Sequence, residues 1–220
     1  MTYQWDFSSV FQAYPLLLKG LWNTLLLACT AVAGSLAIGL LVGIARSTRG
    51  PISWVGAAYV EIFRNVPVPI QLFLFFYLVP LLFGIRNNAF LVSAVTLSLY
   101  KGAFIAEIYR SGIQSIERGQ WDAARALGFG NIGQFRYIVL PQAIKRMIPA
   151  FTNRVIETFK LTTVASLIVY PELLYQTRII SESEFRPLES FTILAIFFAA
   201  VVMPISYLSA RLEKRLAASD

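Results

Sequence analysis

From Leu21 to Ala45 the chain carries no charged residue. A run of that length crosses a bilayer as one tilted helix. A second charge-free run, Phe191–Ser209, lies near the other end. Runs like these fold in lipid as helices, which satisfy their own backbone hydrogen bonds. The composition agrees: 57% of the 220 residues are hydrophobic and 14% charged, where a soluble domain carries about 25% charged. The sequence predicts an all-α, polytopic membrane protein built as one domain. It has no histidine and one cysteine, Cys29, expected to be buried in its apolar run. That excludes an intrachain disulfide, a zinc centre and Cys/His catalysis. No metal and no cofactor is expected. The net charge of +7 is scattered at the ends of apolar runs. It reads as membrane orientation rather than nucleic-acid binding.

Five spans are expected, at about 21–45, 52–83, 89–109, 147–170 and 191–209. Residues 1–19 precede them as an aromatic, interfacial segment on the outer side, and 213–220 follow as a cytoplasmic tail. Ser35, Gly39 and Gly43 recur every four residues in the first span, a face suited to close helix packing. The second span is interrupted by Phe63-Arg64-Asn65-Val66-Pro67, with Glu61 and Arg64 one turn apart and able to pair. In the third, Lys101 falls near the middle and Glu107 near Arg110. Pro171 to Pro187 reads as an outer loop. Twelve Lys and Arg residues, Arg49 and Arg215 among them, fall in segments assigned inside. Four (Lys19, Arg86, Arg178, Arg186) fall outside. The bias predicts an N-terminus outside and a C-terminus inside.

Residues 117–141 form the longest polar interval between spans, and the same orientation puts them in the cytoplasm. Gln120–Leu127 suits a short helix with Asp122 in its first turn and Gly128 as its C-terminal cap. Asn131 is an expected N-cap for a second short helix, with Gln134 three residues on. Pro141 marks that helix's end or the first turn of the next. Ala123 and Ala124 are small enough for another protein to approach closely. Gly128-Phe129-Gly130-Asn131-Ile132-Gly133 spells G-x-G-x-x-G. Without a preceding strand or any βαβ unit it reads as a flexible joint, not a nucleotide site.

Asp122-Ala123-Ala124, three residues, Gly128, nine residues, then Ile138-x-Leu140-Pro141 resembles the EAA signature of ATP-binding-cassette (ABC) importer permeases. Every spacing matches; Asp122 stands where Glu is usual. FRNVP, SLYKGAFIAEIYRSGI and the segment from Asn153 to Ile168 resemble elements of the polar amino-acid branch, though Arg154 and Thr163 depart from its usual residues. The resemblance covers about 20–212. It implies a type I ABC importer fold with cytoplasmic coupling helices, in a multi-pass subunit of the bacterial inner membrane. It also implies Asp122, Ala123, Ala124, Gly128, Ile138, Leu140 and Pro141 as the residues that couple to an ATPase. The partners implied are a cytoplasmic ABC ATPase dimer, a second permease (identical or related), and a periplasmic or lipid-anchored binding protein. The chain itself is then no enzyme.

The fourth expected span holds Asn153, Arg154, Glu157, Lys160, Thr162, Thr163 and Ser166. Each central ionisable group costs roughly 2.5–3.5 kcal/mol in lipid, so this face must meet protein or water. Asn153, Glu157 and Lys160 share one helical face. By resemblance this span and the third line the substrate path. The candidate path residues are Lys101, Asn153, Glu157, Lys160, Thr162, Thr163 and Ser166. Cations for a carboxylate, an acceptor for an ammonium and hydroxyls for polar groups suit an amino-acid cargo. If both lysines face the path, acidic amino acids such as glutamate and aspartate are favoured. A Glu157–Lys160 pair that merely holds helices together fits the same residues. A stand-alone secondary transporter or channel, or an intramembrane Ser/Lys hydrolase, remains as an alternative from another class.

Overall fold

The computed structural model describes residues 3–47 and 50–217, with side chains as far as Lys214. The expectations for Met1, Thr2, Arg49, the Arg215 side chain and the last three residues of the tail fall outside that range. Among the described residues every regular element is helical: α1 (Ser8–Gln12), α2 (Tyr14–Ser47), α3 (Pro51–Asn65), α4 (Val68–Phe83), α5 (Ala89–Gln114), α6 (Arg118–Ala126), α7 (Asn131–Gly133), α8 (Leu140–Leu161), α9 (Leu173–Glu184) and α10 (Pro187–Ala217).

The small-residue face of α2 does what its spacing predicts. Ser35, Gly39 and Gly43 are buried against α5, where a Cβ at Gly39 would collide with Ile105. With no side chain in the way the two backbones come together along most of their length, as membrane helices do when small residues line the seam. Around this pair, α3 packs through Val60 onto Ala103 and Ala106. A second cluster joins Leu27, Ala31, Val68, Leu97, Ala165 and Tyr170 from α2, α4, α5 and the segment that follows α8.

Among the described residues three helices are long and apolar enough to cross a membrane: α2, α5 and the Pro187–Lys214 part of α10. The stretch expected as one interrupted span, 52–83, is two helices, α3 and α4, bent by 107° between Asn65 and Val68. Pro67 causes the break, since it lacks an N–H and disfavours helix in the residue before it. The Gln71 side chain donates to the freed carbonyls of Phe63 (2.9 Å) and Val66 (2.8 Å). Glu61 accepts from Asn65 at 3.0 Å and Arg64 lies over the Phe104 ring; the expected Glu61–Arg64 contact is replaced by these. The fourth expected span belongs to α8. Its Arg146, Arg154, Glu157 and Lys160 keep it from qualifying on composition.

Two other expectations are corrected. The segment 171–187 is not a loop: it contains α9, buried along Leu173, Gln176, Thr177 and Ile180. Glu172 caps this helix, accepting from the backbone N–H groups of Leu174 (2.9 Å) and Tyr175 (2.7 Å). Its carboxyl is fully buried, and burial pushes it up to about 7 despite those donors. Cys29 is exposed, not buried, because the apolar face of α2 that carries it has no protein against it.

The N-terminal segment is tied down rather than loose. Tyr3 donates to Glu189 at 2.5 Å, the Asp6 N–H donates to Glu189 at 3.0 Å, and Arg186 donates to the Gln4 carbonyl at 3.1 Å. Tyr3, Trp5, Phe7 and Phe11 follow one another in ring contact.

Candidate functional site

Two polar regions stand out from the apolar bundle. The first is a knob. Its helix α6 starts at Arg118, earlier than expected, so Asp122 lies beyond the first turn and is not placed to answer the helix dipole there. Asp122 instead pairs with Arg125, three residues on, in solvent. Gly128 ends the helix as expected. Its φ of 82° is the left-handed conformation that glycine adopts without steric cost. The Gly128 N–H then reaches the Arg125 carbonyl (3.0 Å) and the Phe129 N–H reaches that of Ala124 (3.1 Å), a Schellman closure.

Beyond Gly128 the expected second short helix is absent as a separate piece. Gly130 occupies the cap position, and no side chain caps there. Asn131 is the first helical residue, and Gln134 is buried, donating to the Phe129 carbonyl at 2.8 Å. From Asn131 the chain is helical without a break into α8, through a wider, π-type turn over Gln134–Val139. Pro141 sits in the first turn of α8, directly after that wider turn, which accommodates its missing N–H.

The two alanines part company. Ala124 is buried and Ala123 exposed, so only Ala123 offers its methyl to a partner. Val139, Ala143 and Met147 seat the knob on Ile116, while Ile138 and Leu140 are half-buried. Leu127 and Ile132 are 75% and 83% exposed. Sequence reading passed over both, although an exposed aliphatic residue on either side of a glycine joint is a signal for docking. A cleft of about 640 Å³ between Arg118, Trp121, Asp122, Arg125, Asn131 and Gln134 faces outward from the knob.

The second region is a charged seam between α5 and α8. Lys101 is buried, and its Nζ lies 3.0 Å from Glu157. Arg154 holds the same carboxylate oxygen at 2.6 Å. Lys160, on the same helix, is exposed. Glu157 therefore spans two helices instead of making the Glu157–Lys160 pair that spacing permits. Sequence reading had no access to this, because Lys101 and Glu157 are 56 residues apart. Asn153, Glu157 and Lys160 do share a face. With Arg154 and Ser206 they line a polar cleft of about 550 Å³.

The hydroxyl residues lie further along. Thr162 donates to Phe159 (2.7 Å), Thr163 to Lys160 (2.9 Å) and Ser166 to Thr163 (2.7 Å). All three bonds go to backbone carbonyls where the helix tightens to a 3₁₀ turn over Thr162–Ile168, a frequent use of hydroxyls in helices. Nearer the knob, Glu107 pairs with Arg110, as expected, and with Arg46 of α2 at 2.5 Å.

A helical membrane chain with a charged seam through its middle and a rigidly capped knob at one end defines a membrane permease. Residues 35–218 match the family described as binding-protein-dependent transport system inner membrane component, and the chain belongs to that family. The probable glutamine ABC transporter permease protein GlnM of Bacillus subtilis (strain 168) is 36% identical over 212 residues, 94% of this chain and 98% of that one. The glutamine transport system permease protein GlnP of Escherichia coli (strain K12) is 35% identical over 215 residues, 97% and 98% of the two chains. The glutamate/aspartate import permease protein GltK of Escherichia coli O6:H1 (strain CFT073) is 32% identical over 223 residues, 98% and 100% of the two chains. A solved structure described as an amino acid ABC transporter with histidines superposes with a TM-score of 0.91 at 33% identity, over 97% of this chain and 100% of that one. The MetNI methionine ABC transporter shares the fold alone, with a TM-score of 0.74 at 22% identity over 91% and 96%.

Proposed function

We propose that this chain is the membrane-spanning subunit of an ATP-driven importer of polar amino acids in the bacterial inner membrane. The observation that carries the reading is the buried Lys101, held by Glu157 beside a polar cleft in an otherwise apolar bundle. A charge kept at that depth is costly unless it is paired or wet, and intramembrane charges mark transport routes. Five spans carry the route, α8 being the fourth, with the N-terminus outside and the knob in the cytoplasm. A second permease, identical or related, covers the seam and closes the path. Lys101, Asn153, Glu157 and Lys160 line it, while Thr162, Thr163 and Ser166 shape the tightened turn at its end.

The cargo arrives from a periplasmic or lipid-anchored binding protein. An ABC ATPase dimer grips the knob through Asp122, Ala123 and the exposed aliphatic residues. Ala124, Gly128, Ile138, Leu140 and Pro141 keep the knob stiff enough to pass force into α8. ATP hydrolysis belongs to that partner. Cations outnumber carboxylates along the seam, which favours acidic and amide side chains over basic ones; relatives named for glutamine and for glutamate/aspartate support that choice, and one named for arginine, 28% identical, stands against it.

The test is uptake by proteoliposomes holding this chain, an ABC ATPase and a binding protein, with glutamine, glutamate and arginine compared. ATP-dependent uptake of glutamine or glutamate is the expected result. Uptake without ATP would make the chain a secondary transporter, and preference for arginine would remove the charge argument.

A further inference from the structure

The Phe104 ring of α5 is crowded by cations. The Arg154 guanidinium carbon lies 4.9 Å from the ring centroid, that of Arg64 lies 5.3 Å away, and Lys101 Nζ lies 5.7 Å away. Three helices, α3, α5 and α8, deliver these charges to one place. Glu157 answers two of them, Lys101 and Arg154. Among the described residues Arg64 meets the ring and no carboxylate. It is exposed, on the last turn of α3, where the chain bends by 107° into α4. An aromatic face orients a cation without neutralising it. A guanidinium held this way presents a planar fork that fits a carboxylate through two parallel hydrogen bonds.

We propose that Arg64, steadied on Phe104 and flanked by Arg154, is the station that takes the α-carboxylate of the amino acid in transit. This deepens the permease reading and rests on it. Arg64 is then a specificity-determining residue, and Phe104 positions it. Lys101 is already engaged and Lys160, though exposed, is a point charge without a fork, so the bidentate seat falls to Arg64. Both cations hold the same Glu157 oxygen, Oε2, so Oε1 of this half-exposed carboxylate is left to meet the ammonium group. The break between α3 and α4 makes the station movable: a change in the bend carries Arg64 relative to α5 and releases the cargo.

The experiment uses the full complex of this chain, its ATPase and its binding protein in proteoliposomes, with radiolabelled L-glutamine and L-glutamate as probes. Arg64→Gln should lower the maximal uptake rate by about tenfold or more while the complex still co-purifies. Arg64→Lys, which keeps the charge but loses the fork, should recover part of that loss. Arg178→Gln, a cation on the exposed side of α9, should transport at the wild-type rate. Uptake by Arg64→Gln within about twofold of wild type would overturn the station, as would equal rates for the Gln and Lys variants. Loss of co-purification in Arg64→Gln would assign the residue to assembly and overturn it too. If the wild-type complex takes up neither probe nor radiolabelled L-arginine, the permease reading fails and the station fails with it.

Discussion

Asp122 and Arg125 pair within one turn of α6, with side chains 65% and 63% exposed; Lys101 and Glu157 pair across two helices, with the Lys101 side chain only 6% exposed. The two contacts look alike as ion pairs and differ in consequence. In solvent, water and salt screen the charges, and such a pair contributes about 0–1 kcal/mol. In the bundle the pair acts through a lower dielectric, and removing one partner strands the other, at about 3–5 kcal/mol when both are buried. Glu157 is half exposed, so the seam falls below that upper figure. The charges of the knob are thus free to meet another protein, as the proposed docking requires. The charges of the seam hold one another, with Oε1 of Glu157 left open.

The contrast is sharpest for Lys101→Met. It leaves Glu157 to Arg154 alone, so we expect about 1–3 kcal/mol of destabilisation and at least about a tenfold fall in uptake, measured by thermal unfolding in detergent and by proteoliposome flux. Gly39→Leu tests whether the seam depends on the α2–α5 approach. Its side chain meets Ile105, and overpacking of this kind costs about 1–3 kcal/mol, read as a lower unfolding temperature.

Glu172 offers a pH test away from both regions. Its folded value of about 7 lies above the ordinary 4.5, so the stability it contributes is complete below 4.5 and is lost as pH rises through 7. Wild-type protein should be more stable at pH 5.5 than at pH 8.5, by about 1–3 kcal/mol. Glu172→Gln, which keeps an oxygen for the two N–H donors, should flatten that slope.

On the knob, Gly128→Val meets no neighbour and suffers only the left-handed φ, a strain of about 1–2 kcal/mol. The chain should insert normally, while amino acid moved per ATP hydrolysed falls. Asp122→Asn should be the mildest, changing stability by less than about 0.5 kcal/mol; any larger effect should appear in ATPase affinity.

Much of the knob was legible because its chemistry is local. A glycine that must take positive φ, a proline tolerated only in a first turn and small residues at fixed spacing leave marks within a few positions of one another. The details that slipped, Asp122 in a first turn and Asn131 as a cap, turned on where α6 and α7 begin. At α7 the buried Gln134 amide reaches back to the Phe129 carbonyl, a contact that no local pattern announces. The seam was legible as a face, since Asn153, Glu157 and Lys160 follow helical spacing, but not as a set of partners. Spacing along α8 offered Lys160 to Glu157, and tertiary packing supplied Lys101 instead. In the same way α9 lacks an apolar run, so its burial against α2 left no periodic trace strong enough to read.

The claim that the α5–α8 seam borders a watered route for amino acids is tested most directly by thiol labelling in the assembled complex. With Cys29→Ser as background, Asn153→Cys should react with a membrane-impermeant maleimide, since only a hydrated thiol ionises and reacts, and saturating glutamine or glutamate should slow that reaction. Leu208→Cys on α10, exposed at 64% in the isolated chain and facing lipid in this account, should stay unlabelled. An Asn153→Cys thiol as inert as the one at position 208, or one whose labelling no amino acid slows, would contradict the account.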